Sequence, residues 1–158
     1  MRYASRIMRG LVFVLALVGA GCNGQLDCDG AYTVGDEFTD AEVESFRSAA
    51  ERWRAFSGRE VSIERGDGEF CHVRRVGVID SRPEVASRWE PWSGNILVAR
   101  RAEAYGEFEN AFLHEFGHSM GLKHVRDPDA IMHWAIGVRL TDDDWRECER
   151  VGACRSPR

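Results

Sequence analysis

Apolar residues recur at intervals of three and four between Thr39 and Gly58. The apolar positions are Val43, Phe46, Ala50 and Trp53. This spacing is typical of an amphipathic helix whose apolar face packs against a sheet. Thr39 and Glu42 have the spacing of a capping box, and a glycine at position 58 is a common helix end. The pattern therefore predicts a helix bounded by these residues.

Residues 60–65 and 71–80 are rich in Val and Ile, which favours strands. Between them, Gly66-Asp67-Gly68 is a strong turn signal. We therefore predict that the two strands form a hairpin or lie next to each other in a sheet. Residues 81–94 contain two prolines and two tryptophans and are predicted to form an irregular loop, after which residues 95–101 resume strand character.

Residues 106–120 show a second helical pattern with two distinct faces. Four apolar residues fall four apart on one face: Phe108, Phe112, Phe116 and Met120. His114 and His118 share the opposite face. The sequence therefore predicts a helix that packs through its aromatic side and presents two imidazoles on the other.

A last helix is predicted to begin at Thr141. Asp144 completes a capping-box pattern with this threonine, and Asp142 and Asp143 favour the positive end of the helix dipole. We interpret the acidic run as a helix cap, and a calcium site is the alternative.

The strongest chemical signal is the segment His114-Glu115-Phe116-Gly117-His118-Ser119-Met120-Gly121-Leu122-Lys123-His124. Histidines at i and i+4 lie about 6 Å apart along one helical face, so that both imidazoles can bind one zinc ion. Gly121 can adopt the left-handed conformation that ends a helix, which lets His124 return as a third ligand. Three imidazoles leave the fourth tetrahedral position to water, as in catalytic zinc sites.

Glu115 follows the first histidine and can reach a water on the zinc. Because zinc lowers the pKa of such a water to about 7, the carboxylate can act as general base. One alternative is an exposed helix that carries these residues by chance, which requires five residues at the required positions by coincidence. The other is a structural zinc site, which would leave Glu115 without a role.

The same segment matches the metzincin signature H-E-x-x-H-x-x-G-x-x-H, and Ala130-Ile131-Met132-His133-Trp134 resembles the Met-turn of that family. The chain is most similar to the matrixins, whose motif also reads His-Glu-Phe-Gly-His-Ser. The resemblance implies an α+β, zincin-like fold with a small mixed sheet, two main helices and a C-terminal subdomain from Leu122 that ends in a helix. It also implies that Met132 packs beneath the zinc-binding imidazoles.

These residues predict a zinc-dependent metalloendopeptidase that binds protein or peptide substrates in a cleft between the two parts of the domain. One zinc ion is the expected cofactor, calcium is possible but not indicated, and a monomer is expected. Two alternatives stay open: a catalytically silent, lipid-anchored module that binds zinc or protein on a metzincin scaffold, and a zinc hydrolase that acts on a non-protein amide. The intact Glu115 argues against the silent module.

The N-terminus has the pattern of a secretory signal peptide, with three arginines before an apolar run at residues 11–18. That run is too short for a stable transmembrane helix. Residues 18–22 resemble a bacterial lipobox, in which the cysteine, here Cys22, is lipidated and the preceding peptide is removed. We therefore predict an exported protein that is either anchored to the bacterial cell envelope through Cys22 or secreted.

The predicted organisation is a signal peptide at 1–21, a tether at 22–38 and a metallopeptidase domain at 39–158. Removal of the signal peptide takes away three arginines and no acidic residue, so that the formal charge falls from −5 to −8. This acidic balance argues against nucleic acid as a partner.

Four further cysteines form an even set in the part of the chain after Cys22. They are Cys28, Cys71, Cys148 and Cys154. In an oxidising compartment two disulfides are plausible, and three pairings are possible. Free, partly buried thiols are the alternative.

Overall fold

The computed structural model describes residues 28–81, 85–100 and 108–155 and contains a five-stranded sheet with the order β2-β1-β3-β5-β4. The strands are β1 (Ala31–Val34), β2 (Ser62–Arg65), β3 (His72–Val76), β4 (Ser87–Trp89) and β5 (Ile96–Ala99). β4 lies at one edge and pairs with β5 in an antiparallel manner, whereas the other pairs are parallel. The predicted mixed sheet is therefore confirmed.

The prediction that residues 60–65 and 71–80 form a hairpin or adjacent strands is wrong, because β1 lies between β2 and β3 and is parallel to both. The two strands are staggered along β1. Val34 pairs with Arg65 at the end of β2 and with Val73 near the start of β3. β2 therefore ends, and β3 begins, beside the C-terminal end of β1. A short loop that passes over this end is enough to connect them, which explains how a turn signal can join two parallel strands.

The tether predicted at residues 22–38 also needs correction, because residues 31–34 form the strand β1 within the sheet. Tyr32 and Val34 of this strand are buried in the core. The folded unit thus begins before Thr39. The strand was not predicted because its apolar pattern covers only four residues, and glycines and acidic residues flank it on both sides.

The loop predicted at residues 81–94 contains the strand β4. A turn follows, in which the Glu90 N–H donates to the Asn95 carbonyl at 2.8 Å, and the chain returns as β5. Pro91 therefore marks the turn of a hairpin and does not exclude a strand before it. The strand predicted at 95–101 is confirmed over Ile96–Ala99.

The three predicted helices are present as α1 (Asp40–Ser57), α2 (Phe108–Ser119) and α3 (Asp142–Arg150). Thr39 and Thr141 cap α1 and α3 in capping boxes, as expected. The predicted start of α2 at Gly106 lies outside the described residues. Within the part of the chain that the structure describes, no helix combines the length and the apolar character needed to cross a membrane.

Aromatic side chains join α1, α2 and the sheet. Phe46 and Trp53 of α1 are fully buried, and the rings of Phe46 and Phe112 lie 5.5 Å apart. Tyr32 of β1 meets Phe112 and Phe116 edge to face, with ring centroids 6.0 and 5.7 Å apart. Burial of such side chains contributes roughly 1.5–3 kcal/mol each, so this cluster fixes the position and rotation of α2.

Two disulfides are formed within the described part of the chain. The inter-strand disulfide joins Cys28, just before β1, to Cys71, just before β3, and the C-terminal disulfide joins Cys148 of α3 to Cys154. The prediction of two disulfides is confirmed, and the pairing that the sequence left open is now assigned.

Candidate metal centre

One face of α2 packs in the hydrophobic core, and other positions of the helix carry the polar residues of the candidate site. Phe108, Phe112 and Phe116 are buried against α1 and β1, and their face of the helix carries the apolar contacts. His114 and Glu115 are also buried, with only 4% and 5% of their surface exposed. A polar pair at this depth requires specific partners, and the structure provides them.

Two glycines shape the chain around the helix. A Cβ atom at Gly117 would overlap the sulfur of Met132, so that only glycine lets Met132 pack directly against α2. Gly121 has a φ of +88°, in the left-handed region that the sequence predicted for the helix end. The chain reverses there and brings His124 back towards the helix.

His114, His118 and His124 converge at one point. The Nε2 atom of His118 lies 3.1 Å from that of His114 and 3.1 Å from that of His124, and the Nε2 atoms of His114 and His124 are 3.2 Å apart. Among the described residues, these three form the group of potential ligand side chains that could hold a metal ion. The structure therefore brings together the three histidines that the motif singled out.

Backbone carbonyl groups fix the tautomers of two of these imidazoles. His114 Nδ1 lies 2.7 Å from the Ile131 carbonyl oxygen, and His118 Nδ1 lies 2.8 Å from that of Leu122. Since a carbonyl oxygen only accepts, each Nδ1 carries the proton and donates it. Each Nε2 then holds a lone pair that points towards the other imidazoles.

Such an arrangement of lone pairs fits a zinc ion. Three nitrogens bound to zinc at about 2.0–2.1 Å in a tetrahedral arrangement stand about 3.3 Å from one another, close to the observed 3.1–3.2 Å. Lone pairs at this separation repel unless a cation lies between them. Hydrogen bonds from the outer ring nitrogen to carbonyl groups are also the usual support of zinc-binding histidines.

The surroundings of His114 and His124 favour the neutral imidazole, which is the form that binds a metal ion. Burial, together with a smaller contribution from the neighbouring His118, lowers the pKa of His114 to about 3. Burial also lowers the pKa of His124, again with a contribution from His118.

Glu115 lies beside the histidines and is held by β4. Its Oε1 accepts a hydrogen bond from the Ser87 hydroxyl at 2.8 Å, and its Oε2 accepts one from the Trp89 backbone N–H at 2.7 Å. Burial raises the pKa of this carboxyl, whereas His118 and the two hydrogen bonds oppose the rise. The sequence did not indicate that Ser87 or Trp89 would contact Glu115, because both come from a segment predicted to be a loop.

Met132 is buried and lies against Gly117 of α2, and the segment 130–134 around it is held by α3. The buried carboxylate of Asp144 accepts hydrogen bonds from the Met132 N–H at 2.8 Å and from the Ile131 N–H at 3.2 Å. It also accepts from the Thr141 N–H at 2.8 Å, which completes the cap of α3. The interpretation of the acidic run as a cap is therefore confirmed for Asp144, which has a second role that the sequence did not reveal.

Cys22 falls outside the described residues, as does the whole predicted signal peptide. His72 is buried in the sheet, where its Nδ1 lies 2.8 Å from the Thr33 hydroxyl oxygen. Trp134 projects from the Met132 segment with 73% of its surface exposed.

Comparison with known proteins identifies a family profile. The matrixin profile matches residues 16–151, which include every residue of the site described above. No curated protein sequence matches the chain. A zinc-dependent peptidase from Methanocorpusculum labreanum has a similar structure, with 14% identity and a TM-score of 0.47 over 75% of this chain and 99% of that one.

A second similar structure is high choriolytic enzyme 1, a hatching enzyme zinc-protease from the medaka fish Oryzias latipes. It has 16% identity and a TM-score of 0.39, and the match covers 66% of this chain and 48% of that enzyme.

Proposed function

The chain belongs to the matrixin family of zinc metallopeptidases, and we propose that it is an endopeptidase whose single catalytic zinc ion is bound by His114, His118 and His124. Glu115 is the general base of the reaction. The observation that carries the proposal is the convergence of three Nε2 lone pairs within 3.2 Å of one another, beside a buried carboxylate.

The reaction is the hydrolysis of a peptide bond by water. When bound, zinc supplies a Lewis acid that polarises the scissile carbonyl group and makes water more acidic. Glu115 accepts a proton from the water as the water oxygen forms a bond to the carbonyl carbon. Glu115 then donates this proton to the amide nitrogen as the C–N bond breaks, and the proton of the new carboxyl group passes to the amine, so that the products are a carboxylate and an ammonium group. No covalent intermediate with the chain is required.

The edge strand β4 is the proposed binding site for the substrate backbone. It is the last strand of the described sheet and lies directly beside Glu115. An extended peptide that pairs with such an edge gains affinity from main-chain hydrogen bonds, which tolerate many sequences. The exposed Trp134, on the segment that follows the metal ligands, supports a side-chain preference near the scissile bond.

We also propose that the protein is exported and that Cys22 carries a lipid anchor. The pattern of residues 1–22 supports this, and the two disulfides fit an oxidising compartment. The intact mass of the protein isolated from bacterial membranes tests it. A diacylglycerol adduct on a chain that begins at Cys22 is expected. An unmodified Cys22 in a protein released from the cells would instead indicate secretion without an anchor.

The central experiment measures the metal content of the purified protein together with the cleavage of an unstructured protein, with and without a chelator. We expect one zinc ion per chain and cleavage that the chelator abolishes. Glu115→Ala should retain zinc and lose turnover by a factor of roughly 10²–10⁴, because only the base is removed. His118→Ala should lose both zinc and turnover.

His133→Ala is the matched control, because His133 lies in the same region but outside the converging group. It should retain both zinc and turnover. Zinc without cleavage in the wild type would favour the silent binding module, and cleavage of small amides but not of peptides would favour the hydrolase alternative. Absence of zinc, or equal turnover by the wild type and Glu115→Ala, would refute the proposal.

A further inference from the structure

Ser87 is a buried side chain that directly contacts the proposed general base. Only 7% of its surface is exposed, and its hydroxyl lies 2.8 Å from Glu115 Oε1. Trp89, two residues further along β4, donates its backbone N–H to the other oxygen, Oε2, at 2.7 Å. The strand therefore binds both oxygens of the carboxylate at once.

Two donors on two different oxygens restrict the carboxylate more than two donors on one. A single hydrogen bond leaves the carboxylate free to rotate about its terminal torsion, which is broad for glutamate. The pair from Ser87 and Trp89 defines the plane of the carboxylate. Each oxygen of Glu115 keeps a further lone pair, which can accept a proton from a reacting water.

We propose that Ser87 is a positioning residue, whose hydroxyl orients Glu115 for proton transfer without touching the substrate. This inference rests on the proposed function, because it assigns Ser87 a part in the same reaction. The backbone N–H of Trp89 cannot be lost by substitution of its side chain, whereas the hydroxyl is supplied by one side chain. Of the two hydrogen bonds to Glu115, only the one from Ser87 therefore depends on the identity of a side chain.

The strand that carries Ser87 is itself firmly held. Ser87 pairs with Val98 of β5, and the guanidinium group of the next residue, Arg88, pairs with the carboxylates of Asp80 and Glu90. These contacts fix β4 independently of Glu115. The hydroxyl is therefore presented from a rigid element, as the orientation of a catalytic group requires.

Steady-state kinetics of Ser87→Ala on the full protein tests the inference. Orientation of a reacting group affects the chemical step, so kcat should fall roughly tenfold while KM changes by less than about twofold. Zinc content should stay at one per chain. Ser93→Ala is the matched control, since Ser93 is equally buried and donates to the carboxylate of Glu90 at 3.1 Å in the same hairpin. It should leave kcat within about twofold of the wild type.

A double-mutant cycle separates orientation from general packing. Glu115→Asp shortens the side chain by one methylene, which withdraws the carboxylate from the Ser87 hydroxyl. If Ser87 acts through Glu115, the addition of Ser87→Ala to Glu115→Asp should change kcat by less than about twofold. If Ser87 acts only by supporting β4, its effect should multiply with that of Glu115→Asp, and this result would overturn the inference.

Unchanged or faster turnover in Ser87→Ala would also overturn it, as would an equal loss in Ser93→Ala. These outcomes differ from failure of the proposed function. In that case, Glu115→Ala itself would retain turnover, whatever the result for Ser87.

Discussion

Replacement of Gly117 by alanine sets helix propensity against packing at the candidate metal centre. Alanine is favoured over glycine by about 1 kcal/mol in the interior of a helix such as α2. At this position, however, the new Cβ atom would overlap the sulfur of Met132 and lie 3.1 Å from its Cε and 3.6 Å from its Cγ. Met132 is fully buried and has to move.

Overpacking of a buried site destabilises by about 1–3 kcal/mol. After the gain in helix propensity, the net loss in the free energy of unfolding should be about 1 kcal/mol. A displaced Met132 also moves the adjacent Ile131 carbonyl, which accepts the hydrogen bond from His114 at 2.7 Å. Because loss of such outer hydrogen bonds weakens metal binding by roughly 10–100-fold, zinc should dissociate more readily from this variant.

Chemical denaturation of the wild type, Gly117→Ala, Met132→Ala and the double variant provides the assay. In the Met132→Ala background the sulfur is absent, so Gly117→Ala should change sign and stabilise by about 1 kcal/mol. Gly77→Ala is the control, since a Cβ at Gly77 meets nothing within 4 Å. The reasoning fails if Gly117→Ala stabilises the wild-type protein or destabilises equally in both backgrounds.

Other perturbations test the supports of the fold. Asp144→Ala should destabilise by about 2–3 kcal/mol in chemical denaturation, because backbone N–H groups of the Met132 segment lose their acceptor; an unchanged midpoint would contradict this. Burial lowers the pKa of His72, so the unfolded state binds more protons below its ordinary pKa of 6.5, and stability is lost as the pH falls from 7 to 5. His72→Gln should reduce this loss, and coincident stability–pH curves for variant and wild type would refute it. Replacement of both cysteines of one disulfide by alanine should lower the free energy of unfolding by about 4 kcal/mol for the inter-strand disulfide and by about 2 kcal/mol for the C-terminal one, because the closed loops span 43 and 6 positions. Equal losses would argue against loop entropy as the cause.

The features that the sequence predicted well are those encoded within one helix and its turn. The phenylalanines of α2 lie four residues apart, and so do His114 and His118, so their faces follow from helix geometry alone. Gly121 then determines where His124 can lie, and its left-handed φ agrees with that expectation. The helix caps at Thr39 and Thr141 are equally local.

The order of the strands could not be predicted in this way. β1 has four residues and β4 has three, too few for a clear alternation of apolar and polar positions. Their neighbours are decided by pairing between distant parts of the chain. The stagger along β1, which lets a six-residue loop connect β2 to β3, has no signature in the loop itself.

The partners of the site residues were hidden for the same reason. Ser87 is 28 positions from Glu115, and Asp144 is 12 positions from Met132. Neither contact follows from spacing within one element. Gly117 is the exception that could have been found, because a glycine in the middle of a helix with good helix formers around it suggests a close approach.

An open edge strand is also the part of a sheet that most readily pairs with another copy of the same chain. If β4 accepts peptides, those of its backbone groups that bind neither β5 nor Glu115 stay accessible, and self-association becomes a hazard. The strand limits this hazard by its length of three residues, by the charge of Arg88 at its centre and by Pro91 shortly after its end. At the opposite edge, β2 exposes only polar or charged side chains. Engineering that lengthens β4 or neutralises Arg88 to strengthen substrate binding would therefore favour insoluble assembly.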